Sequence, residues 1–532
     1  MKRREFLKFA APASTLPFLV GGFSLRAYGR SPFLEALAAT ATETNRVLVL
    51  VQLNGGNDGL NMVIPLDQYS ALSNARANIL IDSAKVLKLS DITGLHPAMT
   101  GMQALYNNGK LVVLQGVSYP TPNFSHFRAT DIWLTGADYN QTKTSGWLGR
   151  YLDAEFPGFP TGYPSTAMPD PLAIQIGSVV STGLQGSSVS MGMAIVDPNA
   201  SYILPGGSDT PPNTPAGHEL TFVRQVAEQT QVYSGAIKSA SAKVTNKSTL
   251  YPAAGQNSLA DQLKIVARLV AGGLKTRVYV VNIGGFDTHS AQVDSAAHET
   301  GGHATLLGRV SAAIAAFQDD LALLGADNRV IGLTFSEFGR RIKSNASAGT
   351  DHGTSVPMFV FGKNVNGGII GSNPVIPANA TTNDNLTMQF DFRQVYASIV
   401  RDWFGASPDE LRSILATPLY NASQPTLGII APSAVSGVKS APNVPKEFSL
   451  EQNYPNPFNP STVIRYDLPR GARVSLEVFN ATGQRVGILV DAEQGAGTHE
   501  VRFEGAGLSS GTYFYRLQAG GFVQTKKAVL VR

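Results

Sequence analysis

Five short segments of this chain carry the side chains that chemistry can use. Asn54-Gly55-Gly56-Asn57-Asp58-Gly59 sets one carboxylate among glycines, which let backbone and ligand approach closely. Pro122-Asn123-Phe124-Ser125-His126-Phe127-Arg128 brings a hydroxyl, an imidazole and a guanidinium together. Ser125 opens a helix, where the dipole favours an alkoxide or a docked phosphate; His126 can carry a proton and Arg128 can clamp an anion. In Gly284-Gly285-Phe286-Asp287-Thr288-His289 the acid and the imidazole are two apart. An extended backbone sends both from one face, a half-site for a divalent cation. Ser336-Glu337-Phe338-Gly339-Arg340 and Thr350-Asp351-His352-Gly353 add two carboxylates and an imidazole. Each segment also has an ordinary reading: a turn at Asn57-Asp58-Gly59, an N-cap at Ser125, a loop hydrogen bond between Asp287 and His289, an ion pair of Arg340 with Glu337.

These segments share a place in the hydrophobic pattern. The apolar run Val47–Leu53 predicts a buried parallel strand ending at the loop that holds Asp58. Leu111–Leu114 predicts a second strand, followed by Ser125 and a helix to Leu134. Val278–Val281 precedes Asp287, Val330–Phe335 precedes Glu337, and Met358–Phe361 follows His352. Apolar residues recur at helical spacing around Met99–Tyr106, Leu259–Leu274 and His303–Leu324. Strands separated by helices predict an α/β domain over 44–420, a mostly parallel sheet with helices on both faces. Ligands of such sheets collect at the C-terminal ends of the strands. Residues 135–257, rich in Gly, Ser, Pro and Thr, read as insertions over that core. His96, His218, His298, His303 and His499 find no partners in sequence and read as packing or solvent residues.

At 532 residues the chain exceeds one ordinary domain. Its 42 basic and 38 acidic residues leave +4, too little to single out nucleic acid or an anionic membrane as partner. It has no cysteine, which excludes disulfides, thiolate metal sites, iron–sulfur clusters and cysteine nucleophiles. A metal must therefore be held by oxygen and imidazole; zinc suits such donors best, and manganese, magnesium and calcium also fit. Near the start, Arg3 and Arg4 precede an uncharged stretch broken by Pro12 and Pro17. It is too short to leave a transmembrane span in the mature protein and reads as a targeting peptide over 1–29, cleaved near Ala27 to Gly29. A linker over 421–445 leads to short β-type segments, among them Val463–Tyr466, Val474–Val478, Glu500–Phe503 and Thr512–Leu517. They predict a small antiparallel sandwich over 446–532.

Three resemblances add to this reading. Arg3-Arg4-Glu5-Phe6-Leu7-Lys8 resembles a twin-arginine signal, which implies export of the folded protein by the twin-arginine translocase. The stretch Leu450-Glu451-Gln452-Asn453-Tyr454-Pro455-Asn456-Pro457-Phe458-Asn459-Pro460-Ser461-Thr462, with Gly511-Thr512-Tyr513 and Lys526-Lys527, resembles the immunoglobulin-like C-terminal sorting domain of the type nine secretion system. It implies that machinery as a partner, periplasmic transit, and a final place at the cell surface or outside the cell. Between them, the segments around Asp58, Ser125, Asp287, Glu337 and His352 look like a sulfatase-like family, domain of unknown function 1501, similar in turn to the alkaline phosphatase superfamily. That resemblance implies one or two metal ions, with Asp58, Ser125 and Glu337 around one and Asp287, His289 and His352 around the other. Ser125 would be the nucleophile. The Asp–His pair is two apart where phosphatases space it four apart, Glu337 stands in place of an Asp followed by His, and Asp351-His352 can instead be that pair. Without Cys, and with His-Phe-Arg after Ser125, a formylglycine sulfatase does not fit. The expected activity is metal-dependent hydrolysis of a phosphate or related ester, on a small molecule or a glycan. The alternative is a non-catalytic surface protein that binds polysaccharide or another envelope component.

Overall fold

The computed structural model describes residues 18–20, 23–25, 45–199, 212, 214–415, 426–435, 447–494 and 497–531. Val47–Leu53 forms β1, and its side chains alternate between two core clusters: Leu48 and Leu50 enter one, Val47, Val49, Val51 and Leu53 the other. A strand apolar at every position needs cover on both faces, so β1 lies inside the sheet. Besides a small sheet of Val63–Pro65, Leu87–Lys88 and Thr93–Leu95, the other strands of the large domain that bear on the site are Leu111–Ser118 (β2), Ala173–Ile176 (β3), Gly192–Ile195 (β4), Val278–Ile283 (β5), Val330–Phe335 (β6), Arg340–Ser344 (β7), Thr350–His352 (β8), Val356–Phe361 (β9), Gly368–Ile370 (β10) and Phe390–Asp391 (β11). The main sheet runs β10-β2-β9-β6-β1-β5-β3-β4, with β11 beside β2. It is mixed: β9 is antiparallel to both β6 and β2, and the remaining pairs are parallel. β7 and β8 pair apart from it, in the connection between β6 and β9.

Helices cover both faces. Thr100–Asn107 (α1), Ser258–Ala271 (α2) and Gly302–Leu323 (α3) pack on one, with Leu263, Val266 and Phe317 in the core. Asn257 caps α2 by accepting from the amides of Leu259 and Ala260. His126–Thr135 (α4), Trp147–Glu155 (α5) and Phe392–Ser398 (α6) pack on the other, where Trp147 stacks on Tyr396 at 4.1 Å. Because β2, β6, β1 and β5 share one direction, the loops after all four emerge at one edge, joined there by the hairpin β7–β8.

Residues 135–257 depart from the insertion reading. They contribute α5, the helix Pro215–Lys243, and two strands, β3 and β4, that extend the main sheet. At four residues each, Ala-Ile-Gln-Ile and Gly-Met-Ala-Ile are too short for a periodicity to register. The expected linker begins too early: Ile429 and Ile430, expected in the linker, are buried in the core of the α/β domain, and Val365 bridges Ile430. The twin-arginine segment and its cleavage site lie outside the described residues, save the paired strands Phe18–Val20 and Phe23–Leu25.

The C-terminal region is all β. Among the described residues seven strands form two antiparallel sheets, Ser449–Leu450, Ser461–Leu468 and Gly497–Glu504 in one, Arg485–Gln494, Ala472–Asn480, Gly511–Ala519 and Phe522–Leu530 in the other. Ile464 and Tyr466 of the first meet Leu476, Tyr515 and Leu517 of the second in one core. Asn453, buried, ties the signature stretch to that core: its amide donates to the Tyr515 hydroxyl at 2.7 Å and its Nδ2 to Thr462 Oγ1 at 3.0 Å.

Burial holds two histidines of the α/β domain neutral. Desolvation pushes His303 down to about 4 and His96 down to about 3, from an ordinary value of 6.5. Below pH 6.5 the unfolded chain takes up protons that the folded chain refuses, so stability falls as pH drops from 6.5 towards 4. The His303 shift alone corresponds to a loss of about 3 kcal/mol over that window. Thermal melts at pH 7 and pH 4.5 should show a clearly lower midpoint at pH 4.5, and equal midpoints would contradict it.

Candidate metal centre

Beyond β1 and β5 the ladder continues one step, with the Asn54 amide donating to the Ile283 carbonyl at 2.9 Å and the Phe286 amide to the Asn54 carbonyl at 3.1 Å. The two loops then touch, and only glycine fits. Gly55 has φ +124°, and a Cβ there would stand 2.4 Å from the Asp287 nitrogen; Gly56 has φ +75°, and its Cβ would stand 2.1 Å from the Phe338 ring.

Into this junction β7 inserts Arg340, whose side chain is fully buried. Its Nε donates to the Gly56 carbonyl at 2.5 Å and its Nη1 to the Thr350 carbonyl at 2.7 Å. Its Nη2 donates to the Gly55 carbonyl at 2.5 Å, the Phe286 carbonyl at 3.1 Å and Asp287 Oδ1 at 2.7 Å. One guanidinium thus binds the loops after β1 and β5 to the hairpin β7–β8.

Three imidazoles converge on Asp287. His352 Nδ1 lies 2.9 Å from the Phe124 carbonyl, His126 Nδ1 2.9 Å from Glu337 Oε1, and His289 Nδ1 3.3 Å from Asp351 Oδ1. Carbonyls and carboxylates only accept, so each Nδ1 carries the proton and donates. In the neutral rings every Nε2 is then a bare lone pair, and all three point inward. His289 Nε2 and His352 Nε2 each lie 3.1 Å from Asp287 Oδ1 and 2.9 Å from one another, and His126 Nε2 lies 3.4 Å from Oδ2. Lone pairs and a carboxylate packed this closely repel unless a cation stands among them. Donors about 2.1 Å from a tetrahedral zinc ion lie roughly 3.4 Å apart; His126, His352 and Asp287 offer ligand atoms within 4.8 Å of one another, and His289 Nε2 reaches Asp287 and His352. Outer partners that fix the ring through Nδ1 are what metal-binding histidines carry. The residues fit a divalent metal.

The electrostatics agree. Burial would raise the Asp287 carboxyl, but the Arg340 guanidinium, by its hydrogen bond and its charge, holds it below the ordinary carboxylate value. Desolvation lowers His352, which favours the neutral ring that can ligate. Phe338, buried, lies under His126 and His352 with ring centres 4.9 Å and 4.4 Å away. Beside the cluster lies a cavity of about 490 Å³, lined by His126, Asp287, Glu337, Thr130, Leu134 and Phe127, a residue that is 91% exposed.

The expected residues divide into three groups. Asp287, His289 and His352 lie together. Glu337 and Asp351 stand behind them as hydrogen-bond acceptors of His126 and His289, and His126, expected as a proton carrier, presents its Nε2 to Asp287. Glu337 does not pair with Arg340; it also accepts from the Gly55 amide at 2.8 Å. Asp58 and Arg128 face elsewhere. Asp58 is buried against Arg76 at 2.9 Å, and Arg128 is tied to Asp131 and to the carbonyls of Tyr139 and Gln141. Ser125 is exposed at the head of α4 and its hydroxyl does not cap the helix. Arg340, Phe338 and Gln292 matter to the site although their sequence context marks nothing beyond an ordinary strand end or loop.

A family model described as "Protein of unknown function (DUF1501)" matches residues 117–397, more than half of the chain, and one described as "Secretion system C-terminal sorting domain" matches residues 452–531. The second match indicates export to the cell surface or the extracellular space. No curated protein matches the chain. Among solved structures, the dimeric latent PorU from Porphyromonas gingivalis is 22% identical with a TM-score of 0.14, over 16% of this chain and 9% of that one. This chain therefore spans less than a tenth of the PorU structure. The PsFucS1 sulfatase from Pseudoalteromonas sp. is 12% identical with a TM-score of 0.34, over 89% of this chain and 88% of that one. A structure from Bacteroides thetaiotaomicron, titled for the metabolism of multiple glycosaminoglycans, is 11% identical with a TM-score of 0.31, over 84% and 89%.

Replacing Arg340 with Met leaves the carbonyls of Gly55, Gly56, Phe286 and Thr350 without their donor. The expected cost is about 3–5 kcal/mol in urea unfolding. A loss below about 1 kcal/mol would contradict the role given to this side chain.

Proposed function

The chain belongs to the DUF1501 family, and from that premise we propose that its α/β domain is an exported, metal-dependent hydrolase of phosphate or related esters. The observation that carries the proposal is the convergence of three Nε2 atoms, each ring fixed through Nδ1, on the Asp287 carboxylate. His126, His289, His352 and Asp287 would hold one divalent ion, with zinc the best match to three imidazoles and one carboxylate. Such an ion supplies positive charge that polarises an ester and neutralises the charge developing on its oxygens.

The chain's own groups supply the rest. Glu337 and Asp351 keep His126 and His289 in the ligating tautomer. Arg340 keeps the Asp287 carboxylate ionised. Ser125 is the candidate nucleophile: it is exposed, adjacent to His126, and at the start of a ten-residue helix whose first amides have no side-chain cap. The cavity beside the cluster, with its exposed Phe127, would receive the alcohol part of the ester. The C-terminal region is taken as the immunoglobulin-like sorting module, and the twin-arginine route as the way across the inner membrane.

The pairing of Arg340 with Asp287 favours a second reading, since it neutralises the carboxylate without any metal. In that reading the domain binds an envelope polysaccharide and performs no chemistry.

Elemental mass spectrometry of the purified chain, together with an aryl phosphate and aryl sulfate screen, tests the proposal. The wild type should carry about one metal per chain, and His352→Ala should lose both metal and activity. Ser125→Ala should keep the metal and lose turnover. If Ser125→Ala turns over normally, the nucleophile is another group. A folded wild type without metal or hydrolysis would overturn the hydrolase reading and leave the binding one.

A further inference from the structure

The resemblance to phosphatases makes Asp58 a metal ligand, but the structure gives it a different surrounding. Asp58 is 1% exposed and its carboxylate is fully engaged. Arg76 Nη1 donates to Oδ1 at 3.1 Å and to Oδ2 at 2.9 Å, the Leu60 amide donates to Oδ1 at 3.2 Å, and Gln292 Nε2 donates to Oδ2 at 2.7 Å. Arg76, equally buried, also donates to the carbonyls of Arg341 at 2.8 Å and Ile342 at 3.0 Å, both on β7. A guanidinium fixed by two backbone carbonyls supplies the positive charge that a buried carboxylate requires. No lone pair of Asp58 is left for an ion.

The other end of the network reaches the centre. Gln292 is fully buried, and its Oε1 accepts from Thr288 Oγ1 at 3.0 Å and from Thr350 Oγ1 at 2.9 Å. Thr288 stands between Asp287 and His289, and Thr350 stands next to Asp351 and two residues before His352. With its amide hydrogen on Asp58 and both lone pairs of its oxygen used, Gln292 has one orientation available.

From these contacts we propose that Gln292 is a positioning residue: anchored on the Asp58–Arg76 pair, it sets the spacing between the Asp287–His289 segment and the Asp351–His352 segment. The centre then holds a single ion, with Asp58 in its support and not in its coordination. The inference deepens the proposed function and rests on that reading for the metal, while the positioning itself has a readout without metal.

The test uses the full chain with cobalt(II) as the probe and, on the metal-free protein, nitrogen NMR of labelled histidines. Gln292→Leu keeps every ligand but removes the bracket; cobalt should bind about tenfold or more weakly and its visible spectrum should change. His289 and His352 should lose their uniform Nδ1–H tautomers in the metal-free spectrum. Thr350→Val should behave in the same way, and Thr350→Ser, which keeps the hydroxyl, should match the wild type. Asn257→Ala, which removes the cap of α2 and takes no hydrogen bond from the network, controls for a plain loss of stability and should leave spectrum and tautomers unchanged. If Gln292→Leu keeps the wild-type cobalt affinity, spectrum and tautomers, the inference is wrong. If no variant and no wild type binds cobalt, yet the tautomers shift in Gln292→Leu, the metal reading fails and the positioning role stands.

Discussion

The centre depends on one buried guanidinium. A strand end at the edge of a parallel sheet leaves backbone carbonyls without partners, and buried carbonyls must be satisfied. Here three connections end in such carbonyls: Gly55 and Gly56 after β1, Phe286 after β5, and Thr350 in the hairpin. Arg340 satisfies all four with one rigid fork and keeps a hydrogen bond for Asp287. The glycines at 55 and 56 follow from this, because the loops could not approach the fork, or one another, with side chains there.

That arrangement sets the geometry of the cluster. A carboxylate at the mouth of a sheet would ordinarily be free to turn; Arg340 fixes Asp287 Oδ1, and the imidazole Nε2 atoms then face an oriented carboxylate. Each imidazole has its own outer acceptor, drawn from a different element: Glu337 at the end of β6, Asp351 on β8, and the Phe124 carbonyl before α4. Four parts of the chain distant in sequence thus agree on one point in space. Such agreement costs conformational freedom and leaves lone pairs facing one another.

Much of the sheet was legible in the sequence. The runs Val47–Leu53 and Val330–Phe335 form strands with those limits, and Leu259–Leu274 and His303–Leu324 hold the helices α2 and α3 within three residues at either end. Continuous apolar runs are a strong signal because both faces of the sheet are covered. The strands β3 and β4 were hidden, since four residues beside Gly and Pro look like loop. At the site, spacing was enough to pair Asp287 with His289, but not to say which nitrogen each histidine presents. The role of Asp58 was also out of reach, because its partners Arg76 and Gln292 lie 18 and 234 residues away and belong to no motif. A carboxylate after a strand reads the same in sequence whether a metal or an arginine neutralises it.

The most direct measurement is a crystal structure of the metal-loaded chain with anomalous scattering collected on both sides of the zinc absorption edge. The account predicts one strong anomalous peak about 2.0–2.2 Å from Nε2 of His126, His289 and His352 and from a carboxylate oxygen of Asp287, with none at Asp58. A centre without a peak, the three rings hydrogen-bonded to protein alone, or a second peak bound by Asp58, would contradict it.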